Sequence, residues 1–226
     1  LATELAHLRG TDAVVLGLPR GGVPVAFEVA RALDAPLDVI VVRKVGVPWQ
    51  PELAMGAVGE DGVTIANDEV VRMAAVTPEE LAAAAATARA ELDRRVALLR
   101  GGRPRVELTG KTAIIVDDGI ATGATAHAAC QVARGHGAAR VVLAVPVASP
   151  RAVKAMSAVA DEVVCVQQPG GFFAVGQFYD DFTPTTDRET MDLLNRAAAS
   201  ARDDPETPAV ANEPPGSRRR GHDDRG

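Results

Sequence analysis

A doubly wound α/β fold, built on a mostly parallel sheet, is what this sequence predicts, and three observations predict it. Short apolar runs of strand length alternate with helical patterns of crossover length, the signature of βαβ units with right-handed connections. The 226 residues suffice for one α/β domain with a sizeable core. The chain is 47% hydrophobic but only 3% aromatic, so Ala, Val and Leu must fill that core, which suits buried parallel strands and Ala-rich helices.

The same composition removes several function classes. Formal charge is −6 with acids and bases interspersed, so there is no basic footprint for nucleic acid. No apolar run approaches the roughly 20 residues of a membrane span, and no signal-peptide pattern opens the chain; a cytoplasmic protein is expected. The first residue is Leu rather than Met, so further N-terminal sequence is expected. Two cysteines, Cys130 and Cys165, sit in apolar segments and read as buried thiols; their number excludes a disulfide framework.

In chain order, residues 2–9 read as a helix stopped by Gly10, and 13–18 (AVVLGL) as an apolar strand. After PRGG, residues 23–34 form a helix, and 37–43 (LDVIVVR) a second strand. Residues 44–56, rich in Gly and Pro and without a period, read as a loop. Residues 57–66 have the shape of a hairpin around Glu60-Asp61-Gly62, and Asn67 caps a short helix through Ala75. The best-marked helix follows. Thr77 and Glu80 form a capping box, Pro78 holds the first helical position, and Leu81, Ala85, Ala88, Leu92, Val96 and Leu99 keep one face apolar up to Gly101-Gly102. It is long for a crossover, so residues 57–104 are expected to be a helical insertion or cap.

Strands at 112–117, 139–147 and 161–166 then alternate with helices at 123–135 and 150–159. Residues 167–182 concentrate four of the five Phe and the one Tyr, which marks 167–186 as a small hood. A last helix spans 187–201. Beyond it the Pro-rich polar segment 202–226 has almost nothing to bury and is expected to be a disordered tail, its Arg218–Arg220 triplet solvated. One domain, 1–201, is expected.

Chemistry concentrates at VDDGIATGAT, residues 116–125. In an open α/β sheet, ligands sit outside the carboxyl ends of the strands, where Asp117 and Asp118 fall. Ala121, Thr122, Gly123, Ala124 and Thr125 then open a helix whose free N–H groups and positive dipole end favour a phosphate. Carboxylates and an anion cup side by side fit a sugar phosphate: hydroxyls donate to the acids and the loop holds the phosphate. The stretch has neither Gly-Lys-Ser/Thr nor G-x-G-x-x-G, so neither an NTPase nor a dinucleotide site is supported. GLPRGG (17–22) is a second strand-end loop, an anion nest (Pro19, Gly21, Gly22) with one charged clamp, Arg20. The basic pair Arg43-Lys44 is a third feature.

These stretches resemble the type I phosphoribosyltransferases, whose fingerprint is an apolar strand, two acids, three residues, then Thr-Gly and a small pair. The likeness covers residues 13–182 in order. It implies a 5-phosphoribosyl-1-pyrophosphate ligand. Asp117 and Asp118 would hold the ribose 2- and 3-hydroxyls directly or through Mg²⁺, and residues 121–125 the 5-phosphate. The pyrophosphate would fall to Pro19, Arg20, Gly21, Gly22, Arg43 and Lys44, with a cis peptide at Pro19–Arg20. The family carries a mobile loop after a strand that ends in basic residues, which would be 44–56 here; Glu52 gets no role, and Trp49 would shut or anchor that loop. Asp117, Asp118, Arg20 and Lys44 would carry catalysis, with a nucleobase as acceptor partner. Phe172, Phe173, Phe178 and Tyr179 are stacking candidates for it, or core. The likeness departs at Ala121, where 6-oxopurine enzymes carry an Asp general base; adenine- and uracil-using members tolerate Ala. A homodimer is compatible with the sequence. Two rival readings remain, a non-catalytic ligand-sensing module of the same fold and a sugar-phosphate phosphatase or isomerase; the latter leaves PRGG unexplained.

Overall fold

The computed structural model describes residues 1–200. The chain runs β1 (Ala13–Gly17), α1 (Gly22–Leu33), β2 (Leu37–Val39), β3 (Val42–Val47), β4 (Gln50–Gly59), β5 (Thr64–Ala66), α2 (Asp68–Met73) and α3 (Pro78–Arg100). It continues through β6 (Thr112–Val116), α4 (Ala124–Gly135), β7 (Arg140–Val147), α5 (Pro150–Met156), β8 (Glu162–Gln167) and α6 (Asp187–Ser200). Five strands form a parallel sheet in the order β2-β1-β6-β7-β8. Its central strands β1, β6 and β7 are apolar runs because both faces are covered, whereas the edge strand β8 is only partly buried. Ile114 and Val116 pack with α1, α3 and α6 on one face, while Ala113 and Ile115 pack with α4 and α5 on the other. The expected doubly wound sheet is present.

After β2 the chain leaves this sheet and builds a second one, β3-β4-β5, antiparallel throughout. It then returns through α3 to enter β6 on the opposite side of β1. That reversal makes the gap between the carboxyl ends of β1 and β6 the topological switch point.

The entry to α3 is closed by its capping box: Glu80 N–H donates to Thr77 Oγ1 at 3.2 Å and Thr77 N–H to Glu80 Oε2 at 2.9 Å. Ala85, Ala88, Leu92 and Leu99 are buried as the stripe requires. At its far end Arg100 is itself buried. It donates from Nε and Nη2 to the two Glu60 carboxylate oxygens at 2.9 and 3.0 Å, from Nη1 to Asp38, and from Nη2 to Val39 O at 3.1 Å. One side chain thus ties α3, β2 and the turn after β4 together. Burial pushes the Glu60 carboxyl up, and the Arg100 partner opposes it. No helix among the described residues is long and apolar enough to cross a membrane.

Several expectations need correction. Residues 44–56 are not a loop; β3 and β4 pair as a hairpin, with Lys44 opposite Ala57 and Val47 opposite Gln50. Within 44–56 the buried residues are Val45, Val47 and Met55, but Gly46, Pro48 and Pro51 hid the period, and the register shifts at Gly46. There a Cβ would lie 2.3 Å from Pro51 O, so the bulge needs glycine. The 37–43 run is broken after Val39 and feeds two different sheets. Residues 2–9 make turns and one 3₁₀ turn, Ala6–Leu8; Leu8 and Leu5, which precedes that turn, are buried together. The helix expected over 150–159 stops at Met156. The hairpin around Glu60-Asp61-Gly62, by contrast, is as expected. The expected tail, 202–226, lies outside the described residues.

Arg100→Ala would leave the Asp38 and Glu60 carboxylates buried without their cation. It is expected to lower the unfolding free energy by about 3–5 kcal/mol, read from urea denaturation near neutral pH. A shift below about 1 kcal/mol would show that the cluster is solvated rather than clamped.

Candidate active site

Pairing of β1 with β6 sets Gly17 opposite Val116, so the two strand-end loops leave the sheet at the same level. Leu18 N–H donates to Val116 O at 2.8 Å and carries that alignment one residue further. PRGG then lies directly on the acid pair. A Cβ at Gly22 would come 2.5 Å from Val116 O and 2.8 Å from Asp117 Cα, and one at Gly21 would come 1.9 Å from Asp118 Oδ2. At Gly22, where the close atoms are backbone, only glycine permits that approach. The Pro19–Arg20 peptide is cis.

Asp117 and Asp118 are both half-buried, and the Asp118 N–H donates to Asp117 Oδ1 at 3.0 Å. Burial and then the neighbouring Asp118 charge push Asp117 up to about 7; burial also raises Asp118. Among the described residues no cationic side chain pairs with either acid. Two adjacent, half-buried carboxylates, one raised by its neighbour's charge, are a fitting anchor for a hard cation. No group of three or more metal-ligating side chains occurs among the described residues. Two adjacent carboxylates are a donor set that fits a hard, oxygen-seeking cation such as Mg²⁺.

Beyond the acids the chain is braced against the end of β7. Ile120 N–H donates to Val147 O at 3.0 Å, Ser149 N–H to Ile120 O at 3.0 Å, and Ser149 Oγ to Ala121 O at 2.9 Å. Ala121, Thr122, Ala124 and Thr125 stay exposed around Gly123, whose φ of +83° turns the chain into α4. A cup of first-turn amides, presented to solvent beside two carboxylates, is the result.

Arg20 and Gly21 share a cavity of about 550 Å³ with Asp118, Tyr179, Phe182 and Thr183. Tyr179 is tied to the acids: its hydroxyl donates to Asp118 O at 2.6 Å. Burial, and then the two aspartate charges, push that phenol up to about 12, so it stays a donor. The same ring also walls a second, largely apolar cavity of about 550 Å³ lined by Val25, Val29, Pro146, Val166 and Phe178. Phe172 stacks on Phe178 at 5.6 Å and Tyr179 tilts against Phe182 at 5.1 Å, whereas Phe173 is 86% exposed.

The basic pair separates. Arg43 and Lys44 alternate on β3, so Arg43 pairs with Glu91 of α3, while Lys44 lines a cleft of about 490 Å³ with Ala124 and His127 of α4. Neither lines the Arg20 cavity. Trp49, 59% exposed, stands between the hairpin strands, and Glu52 is exposed on β4. Sequence reasoning missed two residues here. Asp187, at the start of α6, approaches Arg20 at 3.8 Å and Arg95 of α3 at 2.8 Å. Nothing local marks either; only tertiary packing brings 20, 95 and 187 together.

An open parallel sheet with an acid pair, an amide cup and a glycine nest at its switch point defines the type I phosphoribosyltransferase class. The phosphoribosyl transferase domain family matches residues 1–183, and the chain belongs to that family. Two Mycobacterium tuberculosis proteins, from strains CDC 1551 / Oshkosh and H37Rv, are each 59% identical over 197 residues, 87% of this chain, and are provisionally named phosphoribosyl transferases. The matched region is 44% of those relatives, so the chain spans less than half their length. The crystal structure of TT1426 from Thermus thermophilus is 46% identical, covers 86% of this chain and 92% of its own, and superposes with a TM-score of 0.80.

Folding raises the Asp117 pKa from 3.8 to about 7. Its contribution is therefore most favourable below the unfolded value and is lost as pH rises through the folded one. Asp117→Asn, which keeps an acceptor for the Asp118 N–H, is expected to raise the melting temperature by several degrees at about pH 8 and by little at about pH 4. A variant less stable than the parent at about pH 8 would contradict this.

Proposed function

We propose that the chain transfers a 5-phosphoribosyl group from 5-phosphoribosyl-1-pyrophosphate to a nitrogen acceptor, a nucleobase, and releases pyrophosphate, acting in the cytoplasm. The observation that carries this reading is the apposition of Asp117-Asp118, the 121–125 cup and PRGG at one switch point. The cup takes the 5-phosphate through backbone amides and the Thr122 and Thr125 hydroxyls. The acids accept from the ribose 2- and 3-hydroxyls. PRGG takes the pyrophosphate through backbone amides and Arg20, and the hood over 167–186 covers the acceptor. Residues 1–201 act as one domain with 57–104 as its cap.

In the reaction the C1–O bond breaks with its electron pair leaving on pyrophosphate, the acceptor nitrogen lone pair forms the C1–N bond, and the acceptor's N–H proton is released. Positive charge develops on the ribose ring as the bond breaks. The chain's own part is to hold both ends of the donor, to put the acid pair beside that charge and to stabilise the leaving anion. Mg²⁺, when bound, would neutralise pyrophosphate charge, with Asp117 and Asp118 holding it directly or through water. Ala121 supplies no carboxylate to take an acceptor proton, which favours adenine- or uracil-type acceptors over hypoxanthine and guanine. Tyr179, bonded to Asp118 O, joins the acceptor side to the donor side.

Incubation with phosphoribosyl pyrophosphate, Mg²⁺ and a panel of bases is expected to release pyrophosphate. Asp117→Asn combined with Asp118→Asn is expected to abolish release while circular dichroism stays unchanged. Undiminished release by the double variant would refute the ribose grip. Donor binding without release on any base would identify a sensing module instead.

A further inference from the structure

Asp187 holds two arginines with one oxygen. Its Oδ1 lies 2.8 Å from Arg95 Nη2 and 3.8 Å from Arg20 Nη1. That atom is sealed from solvent, yet among the described residues no hydrogen bond of normal geometry reaches it. Two guanidiniums are thus gathered around one carboxylate oxygen, although each is built to grip a pair of oxygens. Arg95 lies one helical turn beyond Glu91, which holds Arg43. An alternating chain of charge, Arg43–Glu91 and then Arg95–Asp187–Arg20, therefore runs along α3 between the hairpin and PRGG.

We propose that Arg95 is a further pyrophosphate-binding residue and that Asp187 is the internal carboxylate which occupies its place until the anion arrives. The proposal rests on the phosphoribosyl-transfer reading and names a binding residue and a competitor for that same site. A diphosphate bears more charge and more oxygens than one carboxylate, so Arg20 and Arg95 can both exchange a shared atom for forked contacts. Asp187 is not stranded by the exchange. It sits in the first turn of α6, where the helix dipole favours a negative charge. The helix entry does not depend on it, because Glu189 N–H donates to Thr186 Oγ1 at 3.2 Å and Thr186 N–H to Glu189 Oε2 at 2.7 Å.

The two roles predict opposite signs, which a merely structural network would not give. In titration calorimetry with inorganic pyrophosphate and Mg²⁺, Arg95→Gln is expected to weaken binding about tenfold, the loss of one charge-assisted contact, and Asp187→Asn to tighten it a few-fold. Ribose 5-phosphate, titrated separately, is expected to bind the parent and both variants alike. The proposal is overturned if Asp187→Asn weakens pyrophosphate binding, which would make it a prop for Arg20, or if Arg95→Gln leaves binding unchanged. A parent chain that binds ribose 5-phosphate but not pyrophosphate also overturns it and leaves the acid-pair reading standing. A parent that binds neither ligand removes both.

Discussion

The parallel pairing of β1 with β6 is the constraint on which the site depends. Gly17 and Val116 end their strands side by side, so two loops separated by about a hundred residues of chain emerge at one level. Everything chemical is then a matter of how closely those loops can lie. Gly22 reduces the approach to backbone contact, so a methyl group there would push PRGG off Val116 and Asp117, while one at Gly21 would meet the Asp118 carboxylate. The interior of the sheet holds the strands at that height: Ile114, Ile115 and Val116 are fully buried, each contributing roughly 1.5–3 kcal/mol. A destabilising pair of carboxylates is tolerated at the rim because the strand beneath it is so thoroughly packed.

How much of this was legible in the sequence follows from the range of the interactions. The αβ alternation, the capping box at Thr77 and Glu80, the two strand-end loops and the acid pair are local patterns, and all are in the structure. The β3–β4 hairpin was missed because Gly46, Pro48 and Pro51 erase the two-residue period, while the buried Val45, Val47 and Met55 that stabilise it are recognisable only once α3 is in place. Arg43 and Lys44 read as one basic feature in a loop; on a strand they must point to opposite faces, and they do. The hood aromatics were legible as a cluster but not as individuals. Tyr179 bonding Asp118 O is a contact across 61 positions, and no pattern of neighbours encodes it.

Function divides the molecule differently from fold. The five-stranded sheet supplies the acids, the cup and the nest, all at strand ends. The second sheet and α3 supply basic side chains from outside that sheet, each with its own surroundings: Lys44 beside α4, Arg43 on Glu91, Arg95 on Asp187. Sheet-borne groups are fixed by backbone pairing. Those borne by the second sheet and α3 are placed only as well as these elements are held together, and one tie between them is the buried Arg100 with Glu60 and Asp38.

Arg100 and Arg95 belong to the same helix, five positions apart, and this has an evolutionary corollary. A rigid helix clamped at one end transmits angle as well as distance. Insertion or deletion of one residue between them would swing Arg95 by about 100° around the axis and carry it off Asp187 without unfolding anything. Homologous chains should therefore vary in length freely at the hairpin tip around Trp49, yet keep the spacing from Glu91 to Arg100 constant.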